Sequence, residues 1–168
     1  MTDTPPGAGE DQGASGSFRV ATQYIKDLSF ESPNAPASMA SGLPQPAIDI
    51  LVDVIPKQVA REQYEVTLQM TAKAMRGENP VFVVELMYAG LFNITGVPEK
   101  ALQPLLMIEA PRFLFPFARR VISDVTRDGG FPPLALDYMD FTQIYQQQLA
   151  KQAAAAGEEG ATPEGSEA

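Results

Sequence analysis

The side chains with the greatest chemical reach in this 168-residue chain are carboxylates. Asp27 and Glu31 share parity in an alternating segment, and Glu85 interrupts the apolar run Val81, Phe82, Val83, Val84, Leu86. Paired carboxylates can serve as general acid and base in glycoside hydrolysis, or they can bind calcium. Neither chemistry finds further residues here: there is no EF-hand spacing and no second set of groups to build a substrate cleft. Carboxylates on a solvated sheet face are the ordinary alternative. The chain has no Cys and no His, which removes thiolate nucleophiles, imidazole bases and zinc sites made of either. No P-loop or glycine-rich dinucleotide fingerprint occurs, so ATP is not expected to drive the protein and no cofactor is implied.

The elements that must position these acids read as strands first and helices later. Phe18, Val20, Tyr24, Leu28 and Phe30 fall on even positions, as do Ile48, Ile50, Val52 and Val54. Tyr64, Val66, Leu68 and Met70 alternate with polar residues, and Val81 to Phe92 is strand-like on both faces. Arg76-Gly77-Glu78-Asn79 predicts a tight antiparallel hairpin between the last two. Without a bulge, Asp27, Ser29 and Glu31 project opposite Leu28 and Phe30, and Val83 and Glu85 share one face. A charge at Glu85 implies that this face is solvated.

Pro33, Pro36, Pro44, Pro46 and Gly42 make the first connection a long crossover, and its Met39 and Leu43 are apolar residues on a surface segment. After Gly96 the spacing turns helical: a short helix ending near Pro111, then a longer one from about Arg112 to Arg127, stopped by Gly129 and Gly130. Phe113, Phe117, Val121 and Val125 line one side of it, while Leu114, Phe115, Ala118 and Ile122 widen the stripe beyond what one sheet covers. The surplus is expected to meet another subunit, the alternative being a helix buried within one domain. A last helix begins after Asp140, a good N-cap, with Phe141, Ile144, Tyr145 and Leu149 on one side and Gln143, Gln146, Gln147 and Gln148 outward. A groove is expected between that helix and the crossover.

Residues 1–17 read as a disordered tail without the basic start or apolar run of a signal peptide. Residues 18–152 form one domain, and residues 153–168 a second, acidic, disordered tail. The absence of cysteine fits a reducing, cytoplasmic setting. Charges and prolines interrupt Ala101 to Val125, so no membrane insertion is expected. At a formal charge of −9 the chain repels phosphate backbones, which argues against nucleic acid; the charge suits a basic protein partner, with plain solubility as the ordinary reading from composition alone.

Several segments in unbroken order resemble the bacterial export chaperone family SecB: Lys26-Asp27-Leu28-Ser29-Phe30-Glu31-Ser32-Pro33-Asn34-Ala35-Pro36, Tyr88 to Gly96, Leu114-Phe115-Pro116-Phe117-Ala118-Arg119 and Gly130-Phe131-Pro132-Pro133-Leu134. The long N-terminal extension resembles the alphaproteobacterial branch. The resemblance implies an α+β subunit: a four-stranded antiparallel sheet, helices packed on one face, and assembly as a homotetramer, a dimer of dimers. It implies an ATP-independent holdase, not an enzyme, that keeps unfolded precursor proteins competent for export and delivers them to the translocation ATPase SecA. By that likeness Asp27, Glu31, Val83 and Glu85 contact SecA, and Leu43, Phe141, Ile144 and Tyr145 line the client groove, to which the exposed thioether of Met39 is added. Phe113, Phe117, Val121 and Ile122 are expected at the tetramer interface. Leu43 stands where relatives often carry an aromatic residue and Tyr145 where Phe is common, which bears on client preference. Rival readings are a guardian of an antitoxin and a carrier of lipids or other small molecules in the same groove.

Overall fold

Alternation of apolar and polar residues builds the sheet first. In the computed structural model, which describes residues 16–159, strand β1 spans Ser17–Glu31, β2 Ala47–Ala60, β3 Gln63–Arg76 and β4 Asn79–Thr95. They form one antiparallel sheet in the order β1-β4-β3-β2, so among the described residues β1 and β2 are its free edges. The β2–β3 and β3–β4 connections are tight, with positive backbone φ at Glu62 and at Gly77. The fold class is α+β, with the helices on one face.

Two irregularities in β1 change its faces. The register with β4 slips between Val20 and Thr22 and again between Ile25 and Asp27, leaving Ala21 and Lys26 without partners. Each extra residue reverses the alternation and the second restores it. Between the bulges Tyr24 therefore stands opposite Ala89 on the open face, contrary to the even-parity expectation, and Ile25 opposite Tyr88 on the helical face. Beyond the second bulge, Leu28 and Phe30 face the helices again.

The helical layer is continuous where a stop was expected. Helix α1 (Glu99–Pro104), a π-helical turn (Leu105–Glu109) and α2 (Ala110–Asp128) follow one another with helical torsions at each junction. The wide turn lies between Pro104 and Pro111, each of which lacks the N–H that a regular turn would use. Helix α2 packs on β3 and β4, and its Leu114, Phe115, Ala118 and Ile122 are buried. Thr126, wholly buried, donates its hydroxyl to the Ile122 carbonyl at 2.9 Å and accepts the Leu134 N–H at 2.9 Å, tying the Phe131–Leu134 link to the helix end.

Gly129 is required by close approach, since a Cβ there would stand 2.2 Å from the Phe30 ring. That ring stacks on Phe82 at 6.0 Å, and Phe131 joins the cluster 5.0 Å from Phe82. Gly129→Ala is expected to displace the rigid ring and cost about 1–3 kcal/mol, read as a lower denaturant midpoint at unchanged slope.

Helix α3 (Phe141–Glu159) starts as expected: Asp140 Oδ1 accepts the N–H of Thr142 at 2.9 Å and of Gln143 at 3.3 Å. It runs further than expected. Ala153 to Ala156 continue the helix in place of an immediate tail, consistent with alanine's helix propensity. Ser17 already belongs to β1. The remaining tail expectations, residues 1–15 and 160–168, lie outside the described residues.

Candidate functional site

Two surfaces gather the residues singled out above. The first is the open sheet face. Reading across the strands by register, Glu31, Val83, Lys73 and Asp49 make one row, Ser29, Glu85, Thr71 and Leu51 the next, and Asp27, Met87, Gln69 and Asp53 a third. Asp27, Glu31, Val83 and Glu85 thus stand on adjacent strands within three consecutive rows, and the three acids are exposed. Asp49 and Asp53 on β2 extend the acidic surface, with Leu51 between them 63 % exposed. Sequence reasoning missed these two, because only the pairing of β2 with β3 puts them level with Glu31 and Asp27.

Further along this face the charge is balanced. Lys26 Nζ donates to Glu65 Oε1 at 2.6 Å, and the Tyr24 hydroxyl donates to the other oxygen of the same carboxylate. The bulges make this possible by turning Tyr24 outward, so that the pair on edge strand β1 reaches across β4 to β3. Hydrogen bonds from Lys26 and then Tyr24 hold the Glu65 carboxyl below its usual range. The same hydrogen bond to Glu65, aided by burial, pushes the Tyr24 phenol up to about 12. The clamp's contribution from Tyr24 is therefore complete below the ordinary value of 10.0 and is lost as pH rises through about 12. That from Glu65 persists above the ordinary carboxyl range and fades as pH falls below it. An absorbance titration should show Tyr24 ionising near pH 12, a contribution lost in Tyr24→Phe, while burial also raises Tyr88 in both forms.

The second surface follows β2 on the helical side. A depression of about 340 Å³ is lined by Leu43, Pro44, Ile48, Arg76, Phe82 and Phe131 among others. Next along the strand, one of about 310 Å³ touches Ile50, Leu51, Val52 and Asp53 together with Met139, Ile144, Gln147 and Gln148. A third, of about 540 Å³, lies between Val54 and Pro56 on β2, Gln103 and Met107, and Tyr145, Gln148 and Leu149 on α3. Four consecutive β2 residues line the middle depression. Since neighbours on a strand point to opposite faces, a hollow that touches all four lies against the strand's free edge. The second and third share Gln148 and Lys151, and the first, bounded by the crossover, lies further along the same strand; we refer to the three as one mostly apolar trough beside β2.

Arg76 shapes one end of it. Its guanidinium donates to the Pro44 carbonyl at 2.6 Å and to the Ser38 carbonyl at 2.8 Å, fastening the proline-rich crossover to the sheet. Asn34 adds a hydrogen bond to the Pro80 carbonyl at 2.8 Å. In the sequence Arg76 read only as part of a turn, and nothing local marked it as the crossover's anchor.

Leu43, Ile144 and Tyr145 reach the trough, one in each depression. Phe141 does not: it is 1 % exposed, with its ring 5.8 Å from Phe115, and belongs to the core. Met39 stays 42 % exposed but lies over Gly130, beside the trough instead of in its lining. Gln147 and Gln148, both expected to point outward, line the trough, Gln147 in one depression and Gln148 in two.

The surplus stripe of α2 also resolves into two halves. Ile122 is buried in the chain's own core and is withdrawn from the expected interface. Phe113 and Phe117 are 41 % and 37 % exposed with rings 5.8 Å apart, and Val121 is half-buried. Among the described residues no cluster of three or more His, Cys, Asp or Glu could hold a metal ion, and no helix is long and apolar enough to cross a membrane.

A family model described as preprotein translocase subunit SecB matches residues 11–152. A protein-export protein SecB of Maricaulis maris is 50 % identical over 157 residues, covering 93 % of this chain and 91 % of that protein. One of Rhodopseudomonas palustris is 51 % identical over 147 residues, covering 88 % and 93 %. One of Caulobacter is 51 % identical over 156 residues, covering 90 % and 94 %. Among solved structures, a Mycobacterium tuberculosis SecB-like chaperone in complex with a peptide from the HigA1 antitoxin superposes with a TM-score of 0.61. It covers 73 % of this chain and 91 % of its own at 16 % identity, a likeness of fold. With the family model spanning most of the sequence, and relatives half identical along nearly all of it, the chain belongs to the SecB family of protein-export chaperones.

Proposed function

We propose that the protein is an ATP-independent holdase of the cytoplasm, without catalytic activity or cofactor, which grips unfolded precursor proteins in the trough and passes them to SecA. The observation that carries this reading is the run of apolar depressions holding Leu43, Ile144 and Tyr145 along the free edge of β2. Apolar burial suits such a task because it has no direction and scales with area, so many sequences satisfy it. The edge position adds main-chain hydrogen bonding to an extended client, which is equally indifferent to sequence.

Magnitudes argue for several sites per particle. Burying one large side chain yields roughly 1.5–3 kcal/mol, while ordering each client residue costs about 1–2 kcal/mol. A single depression therefore holds little. Assembly through Phe113, Phe117 and Val121 into a homotetramer, a dimer of dimers, multiplies the troughs, and one long client spanning several gains affinity through effective concentration. A folded protein keeps its apolar residues inside and is passed over.

Release without nucleotide requires a second protein. The acidic open face around Asp27, Glu31, Val83 and Glu85 is the dock for basic surface on SecA, which then captures the precursor. Antitoxin guarding and carriage of small molecules are less well supported, since the relatives at half identity are named for protein export. The test is the folding of a slow-folding precursor without ATP. The purified protein should delay it, and added SecA should then remove the still-unfolded precursor from the complex. Unaltered folding kinetics at saturating protein would refute the reading.

A further inference from the structure

We infer that Gln148 reads the client's main chain: its carboxamide oxygen accepts an N–H from an extended segment lying in the trough. This rests on the proposed client-binding role and assigns within it a residue that sequence reasoning had turned to solvent.

Gln148 occupies a particular place. Together with Lys151 it lines both the depression of about 310 Å³ and that of about 540 Å³, so a chain passing from one to the other must cross it. Its surroundings mix apolar residues, Ile50 and Val52 on one side and Val54, Met107, Tyr145 and Leu149 on the other, with the polar side chains of Asp53, Gln147, Gln103 and Gln152. Among the described residues its Oε1 is shut off from solvent and has no hydrogen-bond donor. Buried acceptors in folded proteins are nearly always satisfied, and leaving one empty is destabilising. Gln23 Oε1 and Ser38 Oγ share this condition, but neither residue lines a depression of the trough.

The chemistry of the group selects its ligand. A carboxamide oxygen accepts from any N–H or O–H donor, and the donor that an extended client brings at nearly every position is its peptide N–H. The terminal torsion of Gln is broad, so a small rotation turns the oxygen from its closed position into the passage. A peptide N–H is present at every non-proline client residue. An acceptor at this crossing therefore adds hold without adding preference for any side chain, which is what a binder of many sequences requires.

The experiment compares an unstructured peptide rich in Leu and Tyr with its twin methylated at alternate backbone nitrogens, using the full-length protein, Gln148→Leu and the exposed-site control Gln146→Leu. Leucine removes an unsatisfied buried polar group, so the fold should persist, checked by circular dichroism. The native protein and Gln146→Leu should favour the unmethylated peptide about tenfold. In Gln148→Leu that preference should shrink several-fold, while β2's edge retains the remainder. An undiminished preference in Gln148→Leu overturns the inference and leaves the trough reading intact. Failure of the native protein to bind either peptide overturns both.

Discussion

Replacing Phe113 and Phe117 together by aspartate is expected to leave each chain folded and to break the assembly into smaller units. Both rings are about two-fifths exposed in the single chain, so the substitution removes little of its own core. At a subunit interface the same change withdraws two aromatic side chains, which dominate such contacts, and places carboxylates where no partner for them stands. The mass in solution, measured by light scattering, should fall. Affinity for a long unfolded client should drop by about two orders of magnitude as avidity is lost, while a peptide short enough to occupy one trough binds as before. An unchanged mass would show that the exposed half of α2 does something other than join subunits.

Charge reversal at Asp27, Glu31 and Glu85 to lysine should weaken SecA binding by at least about a hundredfold, because like-charge juxtaposition across an interface costs several kcal/mol. Client binding and solution mass should not change, since all three side chains lie on β1 and β4, strands apart from the trough at β2, and on the sheet face opposite α2. Loss of SecA affinity should come chiefly through a slower association rate, and raised salt should narrow the gap between native and reversed forms. SecA binding that survives the triple reversal would remove the open face from the proposal. Simultaneous loss of all three activities would mark these acids as structural.

Much of this surface was legible in advance. Parity alone put Val83 with Glu85 and Asp27 with Glu31, because a strand's alternation is a local property, and an acid amid Val and Leu announced a solvated face. The bulges at Ala21 and Lys26 had no such signature. They arise where β1 must follow the twist and partners of β4, and they turn Tyr24 to Glu65 on a strand it does not neighbour in sequence. The wide turn at Leu105–Glu109 was equally silent, since Pro111 by itself reads as a stop.

Helix faces were legible as a stripe but not as a division of labour. Phe113 and Ile122 are both apolar and both on α2, yet one is left open and the other buried in the core. Phe141 and Tyr145, one turn apart, divide in the same way: Phe141 turns to Phe115 and Tyr145 to the trough.

By itself the sequence determined the family, the α+β class, the order of strands and helices, the lack of Cys and His and the acids of the open face. Each is written in residue type, spacing or ordered motifs, which need no knowledge of what lies across the fold. Only the tertiary structure decided that Arg76 holds the crossover, that Asp49 and Asp53 join the acidic rows, that Phe141 and Ile122 are core, and that Gln148 stands in the passage. Those outcomes depend on which distant segment approaches each side chain, and that is set by strand register and helix docking across dozens of intervening residues.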